Sequence, residues 1–459
     1  MALPSEVLRQ VSADGGGRVV LITGAGASME SPTDLRSGGE YSEIAHRRLV
    51  DDGVLVIGEC AAPWDLSDLA SVVYAKAQSQ VELTRRLPRE AWRTARPNDG
   101  HFAAAALLIE GAVRAIVTLN YDLAQQTALT MLGCPPAVAV IRGPEEHDRL
   151  GAGGLIYIHR SVESDEETWV LRREVLDDAW RDGWEEMIAS GALSSPIVIF
   201  AGLGSAAAVL TETVERLSRT GAAAYYLADP FPESKFAEAL ADRLAGVWRL
   251  SWVDLTEKLA ARVCAERIAS LGVATADLAR EQGWNANGPA IVLEALGRLS
   301  LVQLGVLRGA WFASTASYTL HRPGSEERCM ADLVIALGYV ATSVASQLDL
   351  QEGGLIRLTR PDGTSVAFLA AHGHGVDRWS SLQVRVESRH RASLGLSGPR
   401  TVLVCGTRPD VTATPQDVIR TVDDQDVIRG SQQLVPIFAE DVRPTTSGSA
   451  DDLWRRLAS

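Results

Sequence analysis

Lysine is almost missing from this chain. Of its 44 basic side chains only Lys76, Lys235 and Lys258 are lysines, a bias that fits a GC-rich genome better than a requirement for bidentate guanidinium contacts. Basic residues of either kind are outnumbered by 58 acidic ones, and the net charge of −14 excludes a protein that coats nucleic acid through a global positive field. Cysteine is sparse as well: Cys60, Cys134, Cys264, Cys329 and Cys405 are scattered without a CxxC pair. That spacing supports neither a structural zinc site nor a disulfide framework, and a reducing cytoplasm is the expected location. No basic-then-apolar leader opens the chain. The longest charge-free apolar stretch, GALSSPIVIFAGLGSAAAVL (191–210), is interrupted by Pro196, Gly202, Gly204 and several serines, so it reads as a strand, a turn and a helix start rather than a membrane span.

The 459 residues, 46% of them apolar, are enough for two or three cores. Apolar, β-rich runs recur at VVLITG, GAVRAIVTLN, AVAVIRG, GGLIYIH, SPIVIFAG and AAAYYLAD, separated by helical spacing or turn residues. This alternation predicts an α/β fold: a Rossmann-like parallel sheet with an inserted helical module, followed by a helical connector and a smaller C-terminal α/β or α+β domain. The expected divisions are 1–264, with the insert at about 40–110, then 265–327 and 328–459. In the last of these, LIRLTRPDGTSVAFLAA reads as a hairpin with Pro361-Asp362-Gly363 at its turn, followed by strands LQVRVES, TVLVCGT and LVPIFAE.

The first run ends in Gly24-Ala25-Gly26. Gly24 and Gly26 are able to take φ > 0 and bring backbone amides close to a phosphate, although the same string also makes a tight turn with no ligand. Other strand ends deliver Thr118, Asn120 and Asp122; His159; Gly202, Gly204 and Ser205; and Asp229. Open parallel sheets bind ligands along that edge, so these groups predict one convergent polar crevice.

In their order these motifs resemble the sirtuin family, in particular a prokaryotic, defence-associated branch. GAGASMESPTDLRS carries the first family motif, with one residue deleted after Ser31, through Gly24, Ala25, Gly26, Ser28, Asp34 and Arg36. Pro97-Asn98-Asp99-Gly100-His101, TLNYD, His159-Arg160 and Gly202-Leu203-Gly204-Ser205 supply the later elements. The resemblance spans about residues 15–260. Between His159 and Gly202 the two cysteine pairs of the deacylating members are missing, so no zinc is expected. Arg160 replaces the family's glycine beside the histidine, which implies either a channel closed to acyl-lysine or a changed seat for His159.

The resemblance implies NAD as substrate, with its pyrophosphate on the GAG turn, the Ala25 amide and its neighbours as donors, and Arg36 pairing with phosphate. By that resemblance Asn120 orients the ribose hydroxyls and a water, Asp122 either contacts the nicotinamide side or organises the pocket, and Asp229 accepts from the adenosine ribose diol. His159 is the candidate general base because imidazole titrates near neutral pH, while His101 is expected to cap or pack its helix. The implied activity is NAD glycohydrolysis by an effector of a bacterial anti-phage system, held in check until a trigger acts. An NAD-binding subunit without turnover and an NAD-dependent deacylase are the rivals. A homo-oligomer or a second defence protein is the expected partner, with no membrane involved. Nucleic acid enters only indirectly or through residues 377–408, where six arginines face Asp377 and Glu387. His372 and His374 read as a loop, and Asp362 with Glu387-Ser388-Arg389 reads as a chance likeness to a nuclease core.

Overall fold

The computed structural model describes residues 3–11, 18–204, 208–219, 221, 223–231, 233–283, 287–311, 325–343, 347–350, 355–371, 401–405, 434–438, 452 and 454–455. It divides into two compact units, residues 1–263 and 264–459.

The first unit is built on a seven-stranded parallel sheet: β1 (Val19–Thr23), β2 (Ala115–Thr118), β3 (Val140–Ile141), β4 (Gly154–Tyr157), β5 (Ile197–Ala201), β6 (Ala224–Ala228) and β7 (Leu244–Trp248), in the order β3-β4-β2-β1-β5-β6-β7. Every residue of β1, β2, β4 and β5 is buried, as strands covered by helices on both faces require. This explains why they read as unbroken apolar runs. β7 was not legible in that way. It is a half-exposed edge strand interrupted by Gly246, with a register shift against β6 between Tyr225 and Tyr226, and its anchor is the stacking of Trp248 on Tyr226.

After β1 the chain builds toward β2 and β4. It then returns to the other side of β1 to lay down β5, β6 and β7. The order therefore reverses between β1 and β5, and the carboxyl ends of these two strands open the crevice where doubly wound sheets take their ligands.

Between β1 and β2 lies the expected helical insert, with helices Gly38–Asp51, Leu66–Ala77, Val81–Thr84, Arg89–Arg93 and Asp99–Ile109. Asp65 caps the second of these, accepting from the amides of Ser67 and Asp68. Gln78 ends it in the left-handed conformation, so the long helical pattern of 65–87 breaks there. The helix Asp99–Ile109 opens on a reciprocal cap: Asn98 accepts from the His101 amide, and His101 Nδ1 accepts from the Asn98 amide. Asn98 Nδ2 also donates to the carbonyls of Ala27 and Glu30. The insert is thereby tied to the turn after β1, and His101 is a capping residue as its sequence context indicated.

In the second unit β8 (Gln347–Leu350), β9 (Leu355–Thr359) and β10 (Ser365–Ala371) form an antiparallel meander. β11 (Thr401–Cys405) and β12 (Leu434–Phe438) continue it in parallel, in the order β12-β11-β10-β9-β8. The Pro361-Asp362-Gly363 turn is present, with Gly363 at φ +83° and Asp362 Oδ1 accepting from the amide and hydroxyl of Thr364. The helix Ser325–Ser343 is buried almost without interruption from Met330 to Ala341. Asn287–Leu296, from the segment expected to be a connector, packs closely on it at Gly288 and Gly338. Strand LQVRVES, His372, His374, Glu387-Ser388-Arg389 and all six arginines of 377–408 lie outside the described residues. No described helix is long and apolar enough to cross a membrane.

Candidate functional site

The strand ends of the first unit frame a cavity of about 820 Å³, within the range of small-molecule and cofactor sites. Its wall includes Gly24, Ala25, Gly26, Ser28, Arg36, Asn120, Asp122, His159, Gly202, Gly204 and Asp229. All but two of the thirteen residues singled out from sequence are thus brought together. Asp34 is exposed in a turn at φ +50° and is absent from the wall. Ser205 lies outside the described residues.

The glycine turn is built differently from expectation. Neither Gly24 nor Gly26 has positive φ; Gly24 sits at φ −125° and ψ −166°. They are glycines because the β5 end presses on them: a Cβ on Gly24 meets Leu203 Cδ2 at 2.6 Å, and one on Gly26 meets Gly202 Cα at 2.6 Å. The positive φ belongs to Gly202, at +68°. The amides of Gly24, Gly26 and Ala27 donate to the carbonyls of Ala201, Gly202 and Gly24. Of these neighbours only the Ala25 amide, at the start of a 3₁₀ turn (Ala25–Ser28), has no acceptor within the chain and remains available to an anion.

At the end of β2, Asn120, Ser28 and Asp122 form one network. Ser28 Oγ donates to Asp122 Oδ2 at 2.9 Å, and Asn120 Nδ2 donates to Gly24 O at 3.1 Å and to Ser28 Oγ at 3.3 Å. Asp122 Oδ1 accepts from the Ala124 amide. Burial raises the Asp122 pKa against the lowering effect of these donors. With both its oxygens engaged, Asp122 organises the site, and the amide oxygen of Asn120 is left for a ligand.

His159 follows β4 and is buried. Burial first, and the positive charge of Arg160 second, depress its pKa from 6.5 to about 4. The ring is uncharged at neutral pH, contrary to the near-neutral titration that made it a candidate general base. Arg160 sits at φ +78° and turns its guanidinium to buried Glu185, 3.2 Å away. It is not part of the wall of this cavity.

At the end of β6, Asp229 is 5% exposed and divides its two oxygens. Oδ1 accepts from the Phe231 amide at 2.8 Å, whereas Oδ2 is buried with no partner in the chain. An unpaired buried acceptor on a cavity wall calls for a donor from a ligand or a water. Two cations, Arg36 and Lys235, also border the cavity without an ion pair in the chain.

Sequence reading missed an aromatic corner. Trp92, Tyr121 and Trp169 form a cluster in which each ring touches the other two, with centroids 5.6 Å (Trp92–Tyr121), 4.9 Å (Tyr121–Trp169) and 6.0 Å (Trp92–Trp169) apart, and Tyr41 meets Trp92 edge-on. Only Tyr121 carried a signal, from its place between Asn120 and Asp122. Trp252, whose Nε1 is buried without a partner, was also missed. Among the described residues no group of three or more His, Cys, Asp or Glu is placed to hold a metal ion.

No protein-family model and no curated protein matches this chain. Among solved structures it is similar to a Sir2 homologue–NAD complex (17% identity, 58% of this chain and 95% of the other, TM-score 0.32). It is also similar to a Sir2 structure concerned with the mechanism and regulation of these enzymes (15% identity, 58% and 99%, TM-score 0.35). Nothing about activity follows from similarities this remote.

Proposed function

We propose that the first unit binds NAD along the crevice and hydrolyses its nicotinamide–ribose bond. The observation that carries the reading is the unpartnered Oδ2 of Asp229, buried on the wall of the same cavity as Asn120. β6 and β2 are three strand spacings apart, about 14 Å, with the free Ala25 amide at β1 between them. A carboxylate for a ribose diol, an amide for a phosphate and a carboxamide for a second sugar match the sequence of groups in a dinucleotide.

In the reaction the C1′–N bond breaks with its electron pair going to nicotinamide, which leaves uncharged. A water adds to C1′ and gives its proton to solvent. The sugar passes through an oxocarbenium-like state, which the Asn120 amide oxygen and the polar network behind it stabilise by orienting dipoles toward it. The effector role in anti-phage defence, and the gating of turnover by an oligomer or a second protein, are part of the proposal and rest on the motif resemblance.

The test is to mix purified full-length protein with NAD and follow nicotinamide and ADP-ribose. Release from wild type, with a loss of about a hundredfold or more in Asn120→Ala, supports the reading. Binding of ADP-ribose with no release, with or without candidate partners, favours the second reading, an NAD-binding subunit without turnover. That reading draws on the His159 ring, whose Nε2 is already engaged and which is not charged at neutral pH. Deacetylation of a peptide in step with nicotinamide release overturns hydrolysis in favour of acyl transfer.

A further inference from the structure

The ring of His159 is held by a residue that no motif predicts. Trp180 Nε1 donates to His159 Nε2 at 3.2 Å, and the two rings meet edge to face with centroids 5.9 Å apart. A ring nitrogen that accepts carries no proton, so the uncharged imidazole has its hydrogen on Nδ1. Nδ1 has no partner within the chain and is not sealed in protein, and His159 lines the cavity.

The holding is built from two successive helices. Trp180 belongs to Arg173–Asp182 and, with Leu176 one turn earlier, forms its buried stripe. Trp184–Leu193 follows across Gly183 and contributes Glu185 to Arg160. Consecutive residues after β4 are thus each gripped by one helix. The grip on Arg160 keeps a non-glycine residue at a positive φ that it would otherwise leave.

We propose that Trp180 is a positioning residue that fixes His159 as an uncharged ring with its hydrogen on Nδ1, so that the ring offers the cavity a hydrogen-bond donor rather than a proton acceptor. The assignment rests on the NAD reading only for the oxygen that this donor meets, a ribose hydroxyl or the water. An N–H holds that oxygen in place and leaves its proton to be lost to solvent. Burial and the Arg160 charge act in the same direction, against the imidazolium. Arg160 is the charged group that acts on the ring; Glu185 is paired with Arg160, and Tyr121 and Asp122, after β2, line the same cavity.

Trp180→Phe removes the indole N–H and keeps an aromatic ring in the core. Full-length protein labelled with ¹⁵N-histidine gives the tautomer from long-range imidazole correlations between pH 5.5 and 8, with His159→Gln identifying the signal. Wild type is expected to show Nδ1–H throughout. Trp180→Phe is expected to lose that single tautomer, giving a mixture of Nδ1–H and Nε2–H rings that stays uncharged over this range because burial and the Arg160 charge remain, with nicotinamide release lowered about tenfold, the scale of one hydrogen bond. A wild-type ring protonated on Nε2 overturns the proposal whatever the variant does, and so does a variant that keeps the single wild-type tautomer. An Nδ1–H ring in a protein that neither binds nor cleaves NAD sinks the NAD reading and leaves this assignment standing.

Discussion

The two ends of the cavity are finished to different degrees. On the β2–β4 side the polar groups are largely committed: Ser28, Asn120 and Asp122 bond one another and the backbone, and His159 Nε2 is taken by Trp180. On the β6 side Asp229 Oδ2 is buried and unmatched, and Lys235, at the start of the helix after β6, borders the cavity with no ion pair among the described residues. A site organised in this way holds its reactive end rigid in the absence of ligand and leaves part of its binding end to be completed by the ligand. Preorganisation where charge develops is worth more than an extra contact, because the dipoles need not reorient during the reaction.

The sharpest way to break that comparison is at the committed end. Asn120→Ala is expected to cut nicotinamide release by about 10²- to 10³-fold, the scale of removing one preorganised polar group, with the melting temperature nearly unchanged. A loss confined to ADP-ribose affinity shows instead that both ends serve binding.

At the open end, Asp229→Asn keeps the shape and removes the charge. Calorimetric titration is expected to show ADP-ribose binding weakened by about 10- to 100-fold, as for a hydrogen bond to a charged group. Equal affinity in the variant means that a water, not a ligand, completes Oδ2.

Between the two ends, Gly26→Ala places a methyl 2.6 Å from Gly202 Cα. Because the obstacle is backbone, the expected cost is about 1–3 kcal/mol of stability, read from denaturant unfolding. A neutral result shows that the β1 and β5 ends separate more easily than their packing indicates.

The smallest effect is on acid stability. His159 and His101 are held at about 4 and about 3 in the folded chain, mainly by burial, against an ordinary value of 6.5. The unfolded chain therefore takes up protons first as pH falls below about 6.5. Stability contributed by the neutral rings is complete above that pH and is lost progressively toward the folded values. The melting temperature of His101→Gln is expected to fall less steeply between pH 6.5 and 4 than that of wild type. Parallel curves locate the acid sensitivity elsewhere.

Much of the crevice was legible in the chain because each contribution is local: a strand, a turn and one or two polar residues at its end. Asn120, Asp122, Gly202 and Asp229 were found this way. The reason for the glycines was not legible, since it lies in the approach of Gly202 and Leu203, about 180 residues away in sequence. The same holds for the ionisation of His159. A histidine after an apolar strand looks available, and only the tertiary packing of Trp180 and the charge of Arg160 make it a neutral ring. The stretch ETWVLRREVLDDAWRDGWEEM (167–187) has a charged helical pattern from end to end, but it holds the end of a 3₁₀ turn, an extended stretch, the helix Arg173–Asp182 and, after a break at Gly183, the start of Trp184–Leu193. A helical pattern does not show where an extended stretch such as 169–172 is held by tertiary contacts.

The aromatic corner carries a consequence in optical terms. Of eleven tryptophans, Trp64, Trp92 and Trp252 border the cavity, and Trp92 is stacked on Tyr121, the residue between Asn120 and Asp122. Indole emission depends on the polarity and contacts of the ring, so a ligand that fills this space changes the light the protein emits. The protein thus carries its own unlabelled reporter of occupancy, and Trp92, through its stacking on Tyr121, ties part of that signal to the end of the cavity where Asn120 lies.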